Sequence, residues 1–333
     1  MKTLTITTLE EGQRFDKYLQ KYLRNASKGF IYKMLRKKNI TLNGKKADGS
    51  EKLANGDMVA LFFKEETLEI FTQDANASAR ANQPTDVLPV KLDILYEDEN
   101  ILLINKPAGM LSQKARREDV SFIEYLTDYL LQSGALTNET LKVFRPGICN
   151  RLDRNTSGII VAGKTLNGLS RMNRHFKDRT IDKYYYSIVK GVIPHKERVT
   201  AYLQKNRSHN KVIIKNTYFE GADKIETEYE PVTCNGEYTL VRVKLITGKS
   251  HQIRAHLKHI GHPVVGDGKY GDVNTNKYFK KNFKLTHHLL HAGVLVFPTE
   301  DMWEHLSGKR IEAPLPKQFK EIVEALFGTV TLP

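Results

Sequence analysis

Asn150-Arg151-Leu152-Asp153-Arg154-Asn155-Thr156-Ser157-Gly158-Ile159-Ile160-Val161-Ala162 is the stretch on which the reading of this chain turns. One acid lies between two arginines, followed by small hydroxyl residues, a glycine and a β-branched apolar run. That is the pattern of a turn feeding a buried strand. The flanking arginines favour the ionised form of Asp153, because opposite charge close by stabilises a carboxylate. A permanently ionised carboxylate on a cationic protein suits a nucleophile better than a general acid. An acid that merely caps a turn is the competing reading, and the local sequence does not separate the two. Residues 158–165 also spell G-x-x-x-x-G-K-[ST], the phosphate-loop pattern. That motif needs a flexible loop after a strand, whereas Ile159-Ile160-Val161-Ala162 prefers to be a strand itself. Gly248-Lys249-Ser250 is a weaker match, with Val243 at the first glycine position.

Composition narrows the partners. The chain has 333 residues, which predicts two domains. A hydrophobic fraction of 40% supports globular cores. The net charge of +14, from 52 Lys plus Arg against 38 Asp plus Glu, calls for a polyanion: nucleic acid or an anionic membrane. No apolar run reaches the roughly 18 residues of a spanning helix, and the first residues lack a signal-peptide core. Two cysteines, Cys149 and Cys234, exclude a disulfide framework or a cysteine-rich zinc site and fit a cytoplasmic protein. Nucleic acid is the expected partner.

Residues 14–38 read as two short helices, the second opened by Ser27 and carrying Lys33, Arg36, Lys37 and Lys38. Asn43-Gly44 marks a hairpin, and a last strand starts at Met58. This two-helix-plus-hairpin unit, placed at residues 1–64, resembles the alpha-L RNA-binding motif, which implies RNA contacts from the basic helix; a solvated basic face is the alternative. Residues 65–87 are small, polar and aperiodic in their second half and read as a flexible linker. Residues 88–330 form the second domain. Its strands come in runs (158–162, 183–190, 225–232, 238–246, 289–297) with helices at 121–132, 165–177, 251–260 and 316–326. That predicts an α+β fold with a mixed or antiparallel sheet.

Other candidate groups lie in this second domain. Thr247 to Pro263 reads as a strand-to-helix junction stopped by Gly261, with Arg254 between apolar neighbours and aimed toward a site. A surface arginine is the plainer alternative. Lys183-Tyr184-Tyr185-Tyr186 offers faces on which a base could stack, or a core strand. The histidines at 251, 256, 259 and 262, and at 287, 288 and 291, lack acid or cysteine co-ligands at zinc spacing. No metal or cofactor is expected.

Five stretches together carry a resemblance. Tyr96 to Met110, Asn150 to Gly158, Lys183 to Gly191, Thr247 to Gly271 and Leu289 to Ala292 resemble the RluA-type pseudouridine synthases, in the family's order and over about residues 90–300. An N-terminal alpha-L motif is the arrangement of the large-subunit ribosomal branch. The resemblance implies that Asp153 is the catalytic aspartate, Arg254 its pairing arginine, Tyr185 the tyrosine stacked on the base, and Arg151 the arginine that enters the space left by a flipped uridine. Asn150 stands where the family usually has histidine. The implied enzyme is a cytoplasmic, monomeric RNA pseudouridine synthase acting on ribosomal RNA. The rival from another class is a non-catalytic RNA-binding protein, which needs neither Asp153 nor Arg254.

Overall fold

The computed structural model describes residues 1–72, 91–116, 118–206 and 211–333. At the N-terminus β1 (Lys2–Thr5), β2 (Ile40–Leu42), β3 (Lys45–Lys46) and β4 (Met58–Leu61) form an antiparallel sheet in the order β1-β4-β2-β3. Helices α1 (Phe15–Tyr22) and α2 (Lys28–Arg36) cover it. Ser27 caps α2 by accepting from the Phe30 amide, satisfying one of the orphan donors of a helix start. Phe15, Leu19, Ile31, Leu35, Ile40 and Val59 are buried together as this unit's core.

The stretch expected to be linker begins instead as a helix, α3 (Glu65–Thr72). Leu68 is buried in the N-terminal core, and the Phe71 ring lies 4.8 Å from that of Phe30. Leu68 and Phe71 are enough to dock it while Ile70 stays exposed, a signal outweighed by the polar residues that follow. The rest of the expected linker lies outside the described residues.

The remaining strands make one mixed sheet. They are β5 (Ile94–Glu97), β6 (Ile101–Lys106), β7 (Gly147–Ile148), β8 (Ser157–Gly163), β9 (Asp182–Lys190), β10 (Glu197–Asn206), β11 (Lys211–Lys215), β12 (Asp223–Cys234), β13 (Tyr238–Leu245), β14 (Leu290–Val296) and β15 (Arg310–Glu312). Their order is β11-β10-β12-β13-β9-β14-β8-β6-β5, with β7 beside β8 and β15 beside β14. The β14–β8 pairing is parallel, and the other pairings in this sheet are antiparallel. Helices α4 (Phe122–Gln132), α5 (Leu166–Asp178), α6 (Gln252–His259), α7 (Val273–Phe283) and α8 (Lys317–Phe327) pack around it. The α+β class with a mixed sheet is therefore correct. Sequence reading missed β1, β7, β10, β11, β15 and α7. No helix among the described residues is long and apolar enough to cross a membrane.

Every residue of β8 is buried, so Gly158 to Thr165 is a core strand leading into α5 and not a phosphate loop. Gly158 has φ +110°, and a Cβ there would sit 2.2 Å from the Ala292 carbonyl oxygen. Only glycine lets β8 approach β14 this closely, and the pairing Gly158 with Ala292 sets the parallel junction. The turn that carries Asp153 ends at this junction.

Candidate active site

Asp153 sits on a loop fixed from several sides. Ser112 Oγ donates to the Leu152 carbonyl at 2.8 Å and accepts from the Leu152 amide at 3.2 Å. The Thr156 amide closes a turn onto the Asp153 carbonyl at 3.0 Å. Thr156 Oγ1 meets His288 Nε2 at 2.8 Å, and burial pushes the His288 imidazole down to about 3, so it is neutral. Asn150 spends its whole amide on β8: Nδ2 donates to the Ile159 carbonyl and Oδ1 accepts from the Val161 amide. The asparagine acts here as a splint between the loop and the strand.

Lys106, at the end of β6, is wholly buried beneath this loop. Its Nζ donates to the carbonyls of Pro107, Met110 and Arg154 at 2.8, 3.0 and 3.1 Å. Burial pushes its pKa down to about 7, opposed by the charge of Asp153. The Arg154 side chain turns back to donate to the Gly109 carbonyl at 3.0 Å.

The cation that engages Asp153 comes from α6. Arg254 Nη1 reaches Asp153 Oδ2 at 2.7 Å, across 101 residues of sequence. The expectation that Arg151 and Arg154 would hold the carboxylate is corrected: both are exposed, and Arg154 serves Gly109. Sequence neighbours in a turn point apart, whereas a helix end can bring a guanidinium in from another part of the fold. The other edge of Arg254 is gripped by Asp267, with Nε–Oδ2 at 2.7 Å and Nη2–Oδ1 at 2.8 Å. Asp267 also accepts from the amides of Lys269 and Tyr270. Burial alone would lower the Arg254 pKa, but bonds to Asp267 and the charges of both acids raise it. Burial alone would raise that of Asp267, and Arg254 brings it down. The Tyr270 ring faces the guanidinium at 5.3 Å, and its hydroxyl meets His251 Nδ1 at 2.9 Å. Side-chain exposure rises along the line, 0% at Asp267, 8% at Arg254 and 27% at Asp153. The one solvent-reachable member is the acid singled out from sequence.

Asp153, Arg254, Tyr185 and Arg151 all line one cleft of about 1020 Å³. Tyr185 alone of the three consecutive tyrosines belongs to the cluster of core residues facing the cleft, while Tyr184 and Tyr186 pack on the opposite face, as strand alternation requires. Burial, then the charge of Asp153, raises the Tyr185 phenol pKa, so it stays neutral. Lys183, Lys177, Arg179 and Lys249 add positive charge to the walls. Lys33, Arg36, Lys37 and Lys38 are exposed on and after α2 and do not line this cleft.

Sequence reading missed Asp267 and Lys106. An acid in Val264-Val265-Gly266-Asp267-Gly268, just after a buried pair, is a usable signal. Lys106 after the apolar Ile101 to Ile104 is another. The clustered histidines take separate structural bonds: His256 to Thr227, His262 to the Lys190 carbonyl, and His291 to Ser157.

The description "RNA pseudouridylate synthase" belongs to the family model that matches residues 100–259, which spans Asp153, Tyr185 and Arg254. An uncharacterized RNA pseudouridine synthase of Mycoplasma genitalium is 32% identical over 294 residues, 86% of either chain. Ribosomal large subunit pseudouridine synthase C of Vibrio vulnificus is 30% identical, covering 95% of this chain and 93% of its own. The structure of human RNA pseudouridylate synthase domain containing 4 shares the fold, with a TM-score of 0.56 and 23% identity over 69% of this chain and 91% of that one. Identity of this extent over nearly the full length of such relatives means that the chain belongs to the RNA pseudouridine synthase family and is an isomerase.

Proposed function

We propose that this protein converts uridines of large-subunit ribosomal RNA to pseudouridine, with Asp153 as the catalytic carboxylate acting on a base flipped into the cleft. The observation that carries this is the chain Asp267–Arg254–Asp153, in which a wholly buried acid fixes the arginine that in turn holds the more accessible of the two carboxylates. Geometry set in advance costs nothing at the moment of reaction. The substrate assignment leans on the relatives named for the large ribosomal subunit.

In this scheme the N1–C1′ bond of uridine breaks, the base turns, and C5 bonds to C1′. C5 loses a proton and N1 gains one, so the atoms balance without oxidation or reduction. An ionised Asp153 serves either attack on the sugar or removal of a sugar proton. Tyr185 holds the base while it turns, and Arg151 fills the space left in the RNA. Flipping costs a few kcal/mol, offset by stacking and pocket contacts. The first 64 residues act as an RNA-binding domain joined by a linker to a catalytic domain at 88–330, with Lys33, Arg36, Lys37 and Lys38 on phosphates. The enzyme works as a monomer in the cytoplasm, in keeping with its two free cysteines.

The test is twofold. Purified Asp153→Asn should bind RNA nearly as well as wild type, because phosphate contacts dominate affinity, and form no pseudouridine; measurable turnover would remove Asp153 from the mechanism. Mapping pseudouridines in cells lacking the protein should show losses in large-subunit ribosomal RNA. Losses confined to transfer RNA would refute that substrate.

A further inference from the structure

Of the clustered histidines, His251 alone lines the catalytic cleft. It stands just before α6 with φ 56° and ψ 15°, a left-handed backbone that residues other than glycine seldom adopt. That turn starts the helix that delivers Arg254 three residues later. One edge of the imidazole is fastened. Nδ1 lies 2.9 Å from the Tyr270 hydroxyl, and the two rings meet edge to face at 5.7 Å and 67°. The hydroxyl is held in turn from β11, accepting from the Val212 amide at 3.1 Å. Tyr270 is itself placed by Asp267, which accepts from its amide at 3.1 Å. His251 is thus anchored to the same buried acid that fixes Arg254.

These bonds select a tautomer. A tyrosine hydroxyl has one proton to give. The Val212 amide already donates to this one, and its own proton has no acceptor among the described residues except His251 Nδ1. The Tyr270 hydroxyl therefore donates to Nδ1, and the neutral ring carries its proton on Nε2. That nitrogen has no partner among the described residues and is not one of the sealed, unsatisfied polar atoms of the core. It is open to the cleft that the residue lines. Burial, the largest influence, lowers the imidazole's pKa; Asp153 and Asp267 oppose it, while Arg254 and Lys269 add to it. The ring is neutral at neutral pH. The charge of Asp153 also reaches the Tyr185 phenol, so donor, carboxylate and aromatic ring share one compartment. We infer that His251 is a further catalytic residue, whose Nε2–H donates to a carbonyl oxygen of the uracil ring. The inference rests on the reading of Asp153 as the catalytic carboxylate. When the N1–C1′ bond breaks, its electron pair stays with the base, and the charge spreads from N1 onto O2 and O4. A neutral donor set in advance stabilises that charge without giving up its proton. The proton balance between C5 and N1 is unchanged.

The experiment uses the full-length protein under single turnover, on a transcript spanning a uridine whose conversion in cells depends on it. His251→Asn suits the same left-handed backbone, and its amide can take the place of Nδ1 beside Tyr270, but nothing reaches the position of Nε2. It should form pseudouridine about a hundredfold more slowly, the usual loss for one donor on a developing anion. Its RNA affinity and salt slope should stay near wild type, because phosphates set both. His251→Gln places an N–H near the position of Nε2 and should lose only about three- to tenfold. Transcripts made with 2-thiouridine or 4-thiouridine identify the oxygen, since sulfur is a poor acceptor. On one of the two, wild type and His251→Asn should react at nearly the same rate, as partners of one interaction do. Ring-nitrogen NMR shifts of the wild type, assigned to His251 by their absence from His251→Gln, should report a neutral ring protonated on Nε2. This measurement decides even where a variant fails to fold. The inference is overturned by a ring protonated on Nδ1, or by a wild-type rate in His251→Asn. Equal losses in the Asn and Gln variants overturn it too, leaving His251 only a part in starting α6. So does a loss confined to affinity and salt slope, which would assign the ring to a phosphate, or a full deficit on both thio-substituted transcripts. Failure of the Asp153 reading would show separately, as turnover by Asp153→Asn.

Discussion

Asp267 holds Arg254 by two nearly parallel bonds of 2.7 and 2.8 Å, and so leaves the guanidinium a single free edge, which it turns to Asp153. The half-buried acid in the cleft owes its orientation to a fully buried one it does not touch.

Asp267→Asn should therefore lower kcat at least tenfold while leaving RNA affinity within about twofold, since it contacts no cleft surface. Breaking a buried pair costs about 3–5 kcal/mol, to be read as a lower urea midpoint. Arg254→Lys should fall between wild type and Arg254→Ala, because lysine lacks the fork that serves both acids. Wild-type kcat in Asp267→Asn would show that Arg254 needs no such anchor.

Tyr185 separates stacking from packing. Tyr185→Phe keeps the ring and should retain most of kcat/KM. Tyr185→Leu keeps the bulk but loses the face, and should lose about ten- to hundredfold, given about 1–3 kcal/mol for a base on an aromatic ring. Equal activity of the Phe and Leu variants would dismiss the stacking role.

Lys106 sets a pH signature. Its pKa is about 7 when folded against an ordinary value of 10.5. Below 7 both states are charged and the folded state bears the burial cost. Between 7 and 10.5 the unfolded chain binds more protons, so stability rises with pH through that window. Lys106→Met should be free of this rise. Urea unfolding at pH 6.5, 8 and 9.5 should show wild type gaining on the variant by on the order of 1–3 kcal/mol; parallel curves would mean Lys106 stays charged throughout.

The basic residues of α2 are tested by charge removal. Lys33→Gln, Arg36→Gln, Lys37→Gln and Lys38→Gln combined should reduce the salt slope of RNA binding by about 3 without changing the fold, if each meets a phosphate. An unchanged slope would assign those charges to solvent.

Much of this was legible in sequence because the informative residues lie in patterns of short period. The apolar run after Gly158 and the alternation at Tyr184 to Tyr186 each specify a strand and its buried face. Arg254 stood out as a cation between Ile253 and Ala255. What sequence hid is what distance in the chain hides. Asp153 draws its cation from α6 and not from Arg151 or Arg154, because a turn splays adjacent side chains while tertiary packing brings remote ones together. Asp267 gave no periodic signal, sitting among glycines. Strand β10 sets only Val199, Ala201 and Leu203 against polar neighbours and β11 is five residues long, so neither stood out, and the two apolar side chains that dock α3 were masked by the polar run after them.

The place of β14 between β9 and β8 also has a consequence for the protein's own synthesis. Strands β8 and β9 follow one another in the chain, yet neither has its inner neighbour until residues 290–296 have been made. At about 5–20 residues per second, the interval from Gly158 to Val296 is on the order of ten seconds. Through that interval the growing polypeptide carries two unpaired strand edges, one next to Asp153 and one bearing Tyr185. A late strand must enter between them like a keystone, so the emerging chain on the ribosome holds Asp153 and Tyr185 without yet having the cleft that both line.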